Sequence, residues 1–203
     1  MSLQSRNEAE LRDRGIDPAR VPPGQYLTDR FPVLHAGAVP DVDLADWDFR
    51  VDGLIADATT WNWEEFRNLP SRSLTADIHC VTKWSKLDTQ WVGVPVGAVW
   101  NLVQPAATAT HVLVNAFHGF TANLPVADFL REENLFAYEY GGAPLEPEHG
   151  FPLRLVVPHL YFWKSVKWVR GFTVLDGDQP GFWERNGYHM YGDPFQEQRF
   201  WGD

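Results

Sequence analysis

Leu74, Ala76, Ile78 and Cys80 alternate with Thr75, Asp77 and His79. Such period-two alternation predicts a strand with one apolar face, and the cysteine closes it. Downstream, Val96, Val99, Trp100 and Val103 follow helical spacing, whereas Val112-Leu113-Val114 within His111 to Phe117 is a continuous apolar run expected of a buried strand. Leu135 to Tyr140 alternates again before a Gly141-Gly142 turn. Pro152 to Val157 and Lys164 to Leu175 read as two further strands, the second with Val166, Trp168 and Phe172 inward. Phe49, Val51 and Asp52-Gly53 predict another strand and its exit. Thr59 or Thr60 is expected to cap a short helix over 61–68, with Glu64 and Glu65 where the helix dipole favours acids and Pro70 ending it. His118 to Pro125 reads as a turn, and Pro125 suits the start of a short helix to Arg131.

Between these elements the organisation is that of one body with a lead-in. Residues 1–30 are charged and proline-rich, with at most a short helix near 7–14, and read as an N-terminal arm. Residues 31–43 lack a helical period and hold two prolines, so an irregular loop is expected, with His35 in it. From Thr89 to Ala127 there is no Asp, Glu, Lys or Arg, which marks the centre of the domain. The aromatic tail 177–203 is expected to pack on the body. Strands outnumber helices and no regular βαβ alternation occurs. The fold class is therefore α+β, a mixed, strand-rich single domain over 31–203.

Composition narrows the function. The chain has 203 residues and a net charge of −10, which argues against a nucleic-acid binder working by phosphate neutralisation. One cysteine forbids an internal disulfide and favours a reducing compartment. The polar start Met1 to Glu10 has no apolar core of an export signal, and no apolar run reaches the ~18–20 residues that span a bilayer. A cytoplasmic protein without a membrane partner is expected.

Two features carry candidate chemistry. Cys80 is either a small buried hydrophobe or a soft metal ligand, with Lys83 and Lys86 near enough in sequence to stabilise a thiolate. Residues 149–170 carry Arg154, Lys164, Lys167 and Arg170 with no acid until Asp176, a cationic island in an acidic chain. It either binds a phosphate-bearing ligand, with His149 and Ser165 as further donors, or pairs with carboxylates elsewhere. The seven histidines show no zinc-type spacing. No phosphate-binding loop, dinucleotide fingerprint or serine-nucleophile elbow occurs.

Five segments, taken in order, resemble the molybdopterin-binding domain of the sulfite oxidase family, in its short bacterial form. They are Phe31 to Pro40, Asp77-Ile-His-Cys-Val-Thr-Lys-Trp-Ser85, Gly119 to Pro125, His149-Gly-Phe-Pro-Leu-Arg154 continuing to Trp168, and Gly181-Phe-Trp-Glu-Arg-Asn-Gly-Tyr188 with the tail to Arg199. The resemblance implies a molybdenum-molybdopterin cofactor and an oxidoreductase carrying out two-electron, oxygen-atom-transfer-type chemistry on a small substrate. It implies Cys80 as the molybdenum ligand and catalytic cysteine. It implies His149 and Arg154 at the phosphate, Ser165, Val166 and Lys167 beside them, His118 at the pterin, and Leu34 and His35 in the access loop. His35, Trp84 and Phe120 are expected to line the pocket. The pattern departs from sulfite oxidases in the access loop, which reads Val33-Leu34-His35 where an Arg is expected, and at Phe120, which stands where a Tyr is expected. Neither a haem domain nor a dimerisation domain has a counterpart, so electrons are expected to reach a separate donor or acceptor. The alternative is a non-catalytic module binding an anionic ligand or the cofactor itself.

Overall fold

The computed structural model describes residues 9–203. Residues 9–13 are helical (α1), and the remainder of the helix expected near 7–14 lies partly outside the described residues. Two mixed sheets follow. The first contains β1 (Tyr26–Leu27), β4 (Arg72–His79), β5 (Trp84–Pro95), β8 (Leu135–Tyr140), β9 (Ala143–Pro144) and β10 (Arg154–Val156). The long β5 organises it, pairing with β4 and β8 antiparallel and with β1 parallel. The second sheet runs β3-β2-β11-β6-β7, from β3 (Thr59–Asn62), β2 (Asp48–Gly53), β11 (Val169–Leu175), β6 (His111–Ala116) and β7 (Thr121–Pro125). Its β2 and β11 are parallel and its other pairs antiparallel. Strands dominate and the helices are short, α2 (Trp63–Arg67), α3 (Val96–Leu102), α4 (Val126–Phe129) and α5 (Phe182–Arg185), as an α+β domain requires.

The sheets pack face to face. Phe49 and Val51 of β2, Val112 and Val114 of β6, and Phe172 and Val174 of β11 meet Val94, Phe136 and Leu155 of the first sheet in one buried cluster. Phe136 stacks on Phe172 at 6.2 Å and meets Phe49 edge-on at 5.0 Å. Each such side chain contributes roughly 1.5–3 kcal/mol by leaving water. Pleating sends the intervening residues of the first sheet the other way. Ile78, Cys80, Trp91, Leu135, Ala137 and Val156 form a second cluster on its outer face. Arg154 shares that face with Val156, two residues on, while Leu153 and Leu155 enter the main core. The cysteine strand and the arginine strand thus present their functional side chains to the same side of one sheet.

Three local expectations are corrected. Residues 59–62 form β3 against β2 instead of a helix start, so the cap is neither Thr59 nor Thr60. Asn62 caps α2 through a reciprocal box with Glu65, each accepting the other's backbone N–H at 2.9 Å. The stretch expected to turn over 118–125 turns only at Phe117–Gly119, and Thr121–Pro125 is a strand on β6. The strand expected from Lys164 begins at Val169, and 164–168 is a buried loop. The tail packs on the body, with Trp163 Nε1 donating to Glu184 Oε1 at 2.8 Å and Arg199 Nη1 to Val81 O at 2.8 Å.

Candidate functional site

One cavity of about 320 Å³ is lined by all nine residues expected at a cofactor: Leu34, His35, Cys80, His118, His149, Arg154, Ser165, Val166 and Lys167. Trp84 and Phe120 line it too. Cys80, Arg154, Ser165 and Val166 are buried, whereas Leu34, His35 and His118 are exposed at the rim. His118 reaches the rim from a left-handed turn position, φ 59°.

At one end sits the thiol. Cys80 follows β4 and enters a tight turn, in which Cys80 N donates to Trp84 O and Lys83 N to Cys80 O, both at 2.9 Å. Thr82 Oγ1 donates to the Cys80 sulfur at 3.1 Å. Burial pushes the Cys80 thiol pKa up, and the Thr82 hydrogen bond and the Arg199 charge pull it partly back. The lysines expected to help do not supply that field. Lys86 Nζ donates to Asp29 O at 2.7 Å, and the cation acting on the thiol is Arg199, 118 residues after Val81 to which it is bonded.

At the other end sit two cations. Arg154 is 2% exposed and has no carboxylate partner among the described residues. Its Nη1 donates to His149 O and its Nη2 to Ser165 O, both at 2.9 Å, and Nε has no partner. Phe162, Trp91 and Phe31 surround the guanidinium at 4.4, 5.4 and 5.7 Å. Burial depresses its pKa to about 9. Lys167 Nζ donates to Leu34 O at 2.7 Å and Glu148 O at 2.8 Å, again without a carboxylate. Gly150 lets these side chains converge: at φ +114°, a Cβ there would lie 3.1 Å from Arg154 Cβ and 3.3 Å from Lys167 Cβ. Two desolvated cations aimed into one cavity, one with an orphaned donor, suit a bound anion. The remaining half of the expected island does not join them. Lys164 is buried against Glu184, and Arg170 pairs with Asp48.

Lys167 makes this end sensitive to pH. Burial and the neighbouring Arg154 lower its pKa to about 7, from about 10.4 in an unfolded chain. Between those values the unfolded chain binds the extra proton, so stability of the cofactor-free protein rises with pH from about 7 towards 10. Thermal melts of the cofactor-free protein should show that rise, and Lys167→Met should flatten it; identical pH slopes in both would contradict a half-buried lysine held without a carboxylate.

A residue to which the sequence assigned no role completes the cavity. Tyr188 follows α5 and lines the cavity with Trp163 and Trp183, whose rings lie 5.1 and 4.8 Å away. Burial raises its pKa, and the Cys80 charge raises it further. Its hydroxyl makes no hydrogen bond among the described residues. The tail motif Gly181 to Tyr188 is the sequence signal for it, whereas the position where the resemblance expects a tyrosine holds Phe120.

A strand-rich domain that gathers an isolated thiol and two uncompensated cations in one cavity is a cofactor-binding domain. Residues 36–183 match the oxidoreductase molybdopterin binding domain, and the chain belongs to that family. The uncharacterized oxidoreductase YuiH of Bacillus subtilis (strain 168) is 50% identical over 91% of this chain and 93% of its own length. The sulfite oxidase of Arabidopsis thaliana is 29% identical over 82% of this chain, which spans 52% of that protein. In the crystal structure of the sulfane dehydrogenase SoxCD from Paracoccus pantotrophus, the similar fold has a TM-score of 0.65 at 20% identity, over 71% of this chain and 42% of that one. The domain is thus sulfite-oxidase-like, and its cofactor is molybdenum-molybdopterin. No helix among the described residues is long and apolar enough to cross a membrane.

Proposed function

We propose that the chain is a sulfite-oxidase-type molybdenum enzyme that transfers an oxygen atom and two electrons to or from a small neutral substrate. The observation that carries this is the meeting in one cavity of the lone Cys80 thiol with the unpaired Arg154 and Lys167. No three His, Cys, Asp or Glu side chains among the described residues converge to hold a metal. A metal at Cys80 therefore brings its other ligands with it, as a dithiolene-bearing cofactor does. When bound, the cofactor supplies a two-electron metal couple and an exchangeable oxygen.

Each side chain has a role in this reading. Cys80 gives one thiolate, oriented by Thr82. Arg154 and Lys167 hold the phosphate, with His149 stacked under Phe31 at 4.1 Å fixing that end of the cavity. Ser165 Oγ accepts from Val157 N at 2.8 Å, which locks the loop that presents Val166 and Lys167. Leu34, His35 and His118 close the rim over the pterin. Tyr188 donates its free hydroxyl to the substrate oxygen and excludes water.

The substrate class follows from where charge is missing. Arg154 and Lys167 bond to His149, Glu148, Leu34 and Ser165, away from the thiol. Tyr188, a cavity-lining residue in electrostatic reach of Cys80, stands among Trp163 and Trp183. Arg199 lies under Tyr161, bonded to Val81 O, and does not line the cavity, so no substrate reaches its guanidinium. An aromatic wall with one hydroxyl suits a neutral sulfoxide or N-oxide, whose apolar body packs on the rings while its oxygen accepts from the hydroxyl. In the reducing direction such a sulfoxide takes two electrons and two protons and leaves as sulfide and water. The electrons come from a separate one-electron donor.

The test is a substrate panel on cofactor-loaded protein. With reduced viologen as donor, dialkyl sulfoxides and amine N-oxides should turn over. Sulfite oxidation with ferricyanide and nitrate reduction should have kcat/KM at least about 100-fold lower, because an oxyanion left without a cation costs several kcal/mol. Faster turnover of sulfite or nitrate than of every neutral compound would overturn the substrate class. A loaded centre that reacts with nothing would point instead to a binding module.

A further inference from the structure

The turn that carries Cys80 is held by segments from both ends of the chain. Gln25, 2% exposed, donates from Nε2 to Cys80 O at 3.1 Å. Arg199, 8% exposed, donates from Nη1 to Val81 O at 2.8 Å, with its guanidinium 4.9 Å from the Tyr161 ring centroid. Both residues lie outside 36–183, the span shared with the family model.

The arm is anchored to the same strands that hold the cysteine, and the tail is closed on itself beside the turn. On the arm, Arg20 makes two hydrogen bonds to Asp77 of β4, at 2.9 and 2.7 Å, and a third to Asp88 of β5 at 2.6 Å. Tyr26 N then donates to Lys83 O at 2.8 Å, inside the cysteine turn itself. On the tail, Arg199 N and Phe200 N both donate to Asp203 Oδ2, which folds the last residues back on themselves. The two segments also touch. A Cβ on Gly24 would lie 3.3 Å from Glu197 Oε1 and 4.0 Å from Arg199 Nη2. Arm and tail thus grip the turn by its carbonyls and leave the sulfur bonded only within its own turn, to Thr82 and to the backbone of Val81.

We propose that Gln25 and Arg199 are positioning residues for the metal centre: they fix the direction of the Cys80 thiolate, and the Arg199 charge raises the reduction potential. This rests on the reading that Cys80 holds the molybdenum. Side chains that orient a ligand tune its metal as strongly as they hold it. A buried cation stabilises the state with one more electron, and low surrounding polarity strengthens the effect. Arg199 is well placed for this because its buried guanidinium donates to the carbonyl of Val81, the residue next to Cys80, while its nearest acid, Glu197 at 3.7 Å, is half-exposed and screened. Gln25 contributes geometry without charge.

The measurement is a potentiometric titration of the loaded protein, followed by the Mo(V) electron paramagnetic resonance signal. Arg199→Gln keeps a donor for Val81 O but loses the charge. It should shift the equilibrium about tenfold toward the oxidised form, which is about 59 mV for a one-electron step. Glu197→Gln, at an exposed acid, should shift it the opposite way and by less. Gln25→Met should leave the potential near that of the wild type while broadening the Mo(V) signal. A wild-type potential in Arg199→Gln, or a wild-type Mo(V) signal in Gln25→Met, would overturn the proposal, and the Gln25 variant tests the positioning of the thiolate even if Arg199→Gln fails to fold. The underlying reading fails separately, by a Mo(V) spectrum unchanged in Cys80→Ser.

Discussion

Cys80→Ser should strip molybdenum from the protein. Wild type purified from a host that makes the cofactor is expected to carry about one molybdenum per chain, and the serine variant a small fraction of that, with turnover abolished. The physical reason is the contrast between the two ends of the cavity. Arg154 and Lys167 offer the phosphate hydrogen bonds worth about 1.5–3 kcal/mol each, so some pterin should remain at first. The metal, however, loses its one soft protein ligand, and serine is a hard oxygen that stays protonated near neutrality. Burial also matters. It raises the thiol pKa, so on the proposed reading the thiolate is the form that a bound metal would stabilise. Elemental analysis together with fluorescence of the released pterin separates loss of metal from loss of cofactor. Full molybdenum content in the variant would remove Cys80 from the centre, and zinc in the wild type would do the same for the cofactor assignment.

Lys164→Met should cost the largest stability of any single exchange outside the core. Lys164 Nζ lies 2.6 Å from Glu184 Oε1, and neither side chain is more than 1% exposed. The ammonium also donates to Asn123 O, Asn123 Oδ1 and Met190 O at 3.0, 2.7 and 2.7 Å. Removing it leaves a carboxylate buried with, among the described residues, only Trp163 Nε1 as donor. Breaking such a pair costs about 3–5 kcal/mol. In a chain of this size that lowers Tm by roughly 10 °C. The double variant Lys164→Met/Glu184→Leu should recover most of the loss, because no buried charge is left behind. Thermal melts of the single and double variants check both statements; equal Tm values for wild type and Lys164→Met would show that the pair holds nothing. The pair also ties α5, and so Tyr188, to the body, so turnover by the folded single variant should fall as well.

Several elements were legible because one periodicity dominated locally. The alternation ending at Cys80, the apolar run over Val112 to Val114 and the helical spacing from Val96 each produced the element expected. Thr59 and Thr60 were misread because a β-branched polar pair serves a helix cap or an edge strand equally well, and the partner β2 decided for the strand. Residues 121–125 were misread because Asn123 and Pro125 carry turn chemistry, while pairing with β6 buries Ala122 and Leu124.

The sequence by itself determined the candidate chemistry: a lone thiol, a cationic island, a charge-free centre and the order of motifs that marks the family. Tertiary structure alone decided which of these groups act together. Pleating placed Arg154 and Cys80 on one face of one sheet, and a buried glutamate took Lys164 out of the island. The tail brought Tyr188 to the cavity and Arg199 to the thiol from more than a hundred residues away. Local patterns fix which face a side chain takes, but partners and fields are set by whichever segment packs opposite, and that information lies in the fold.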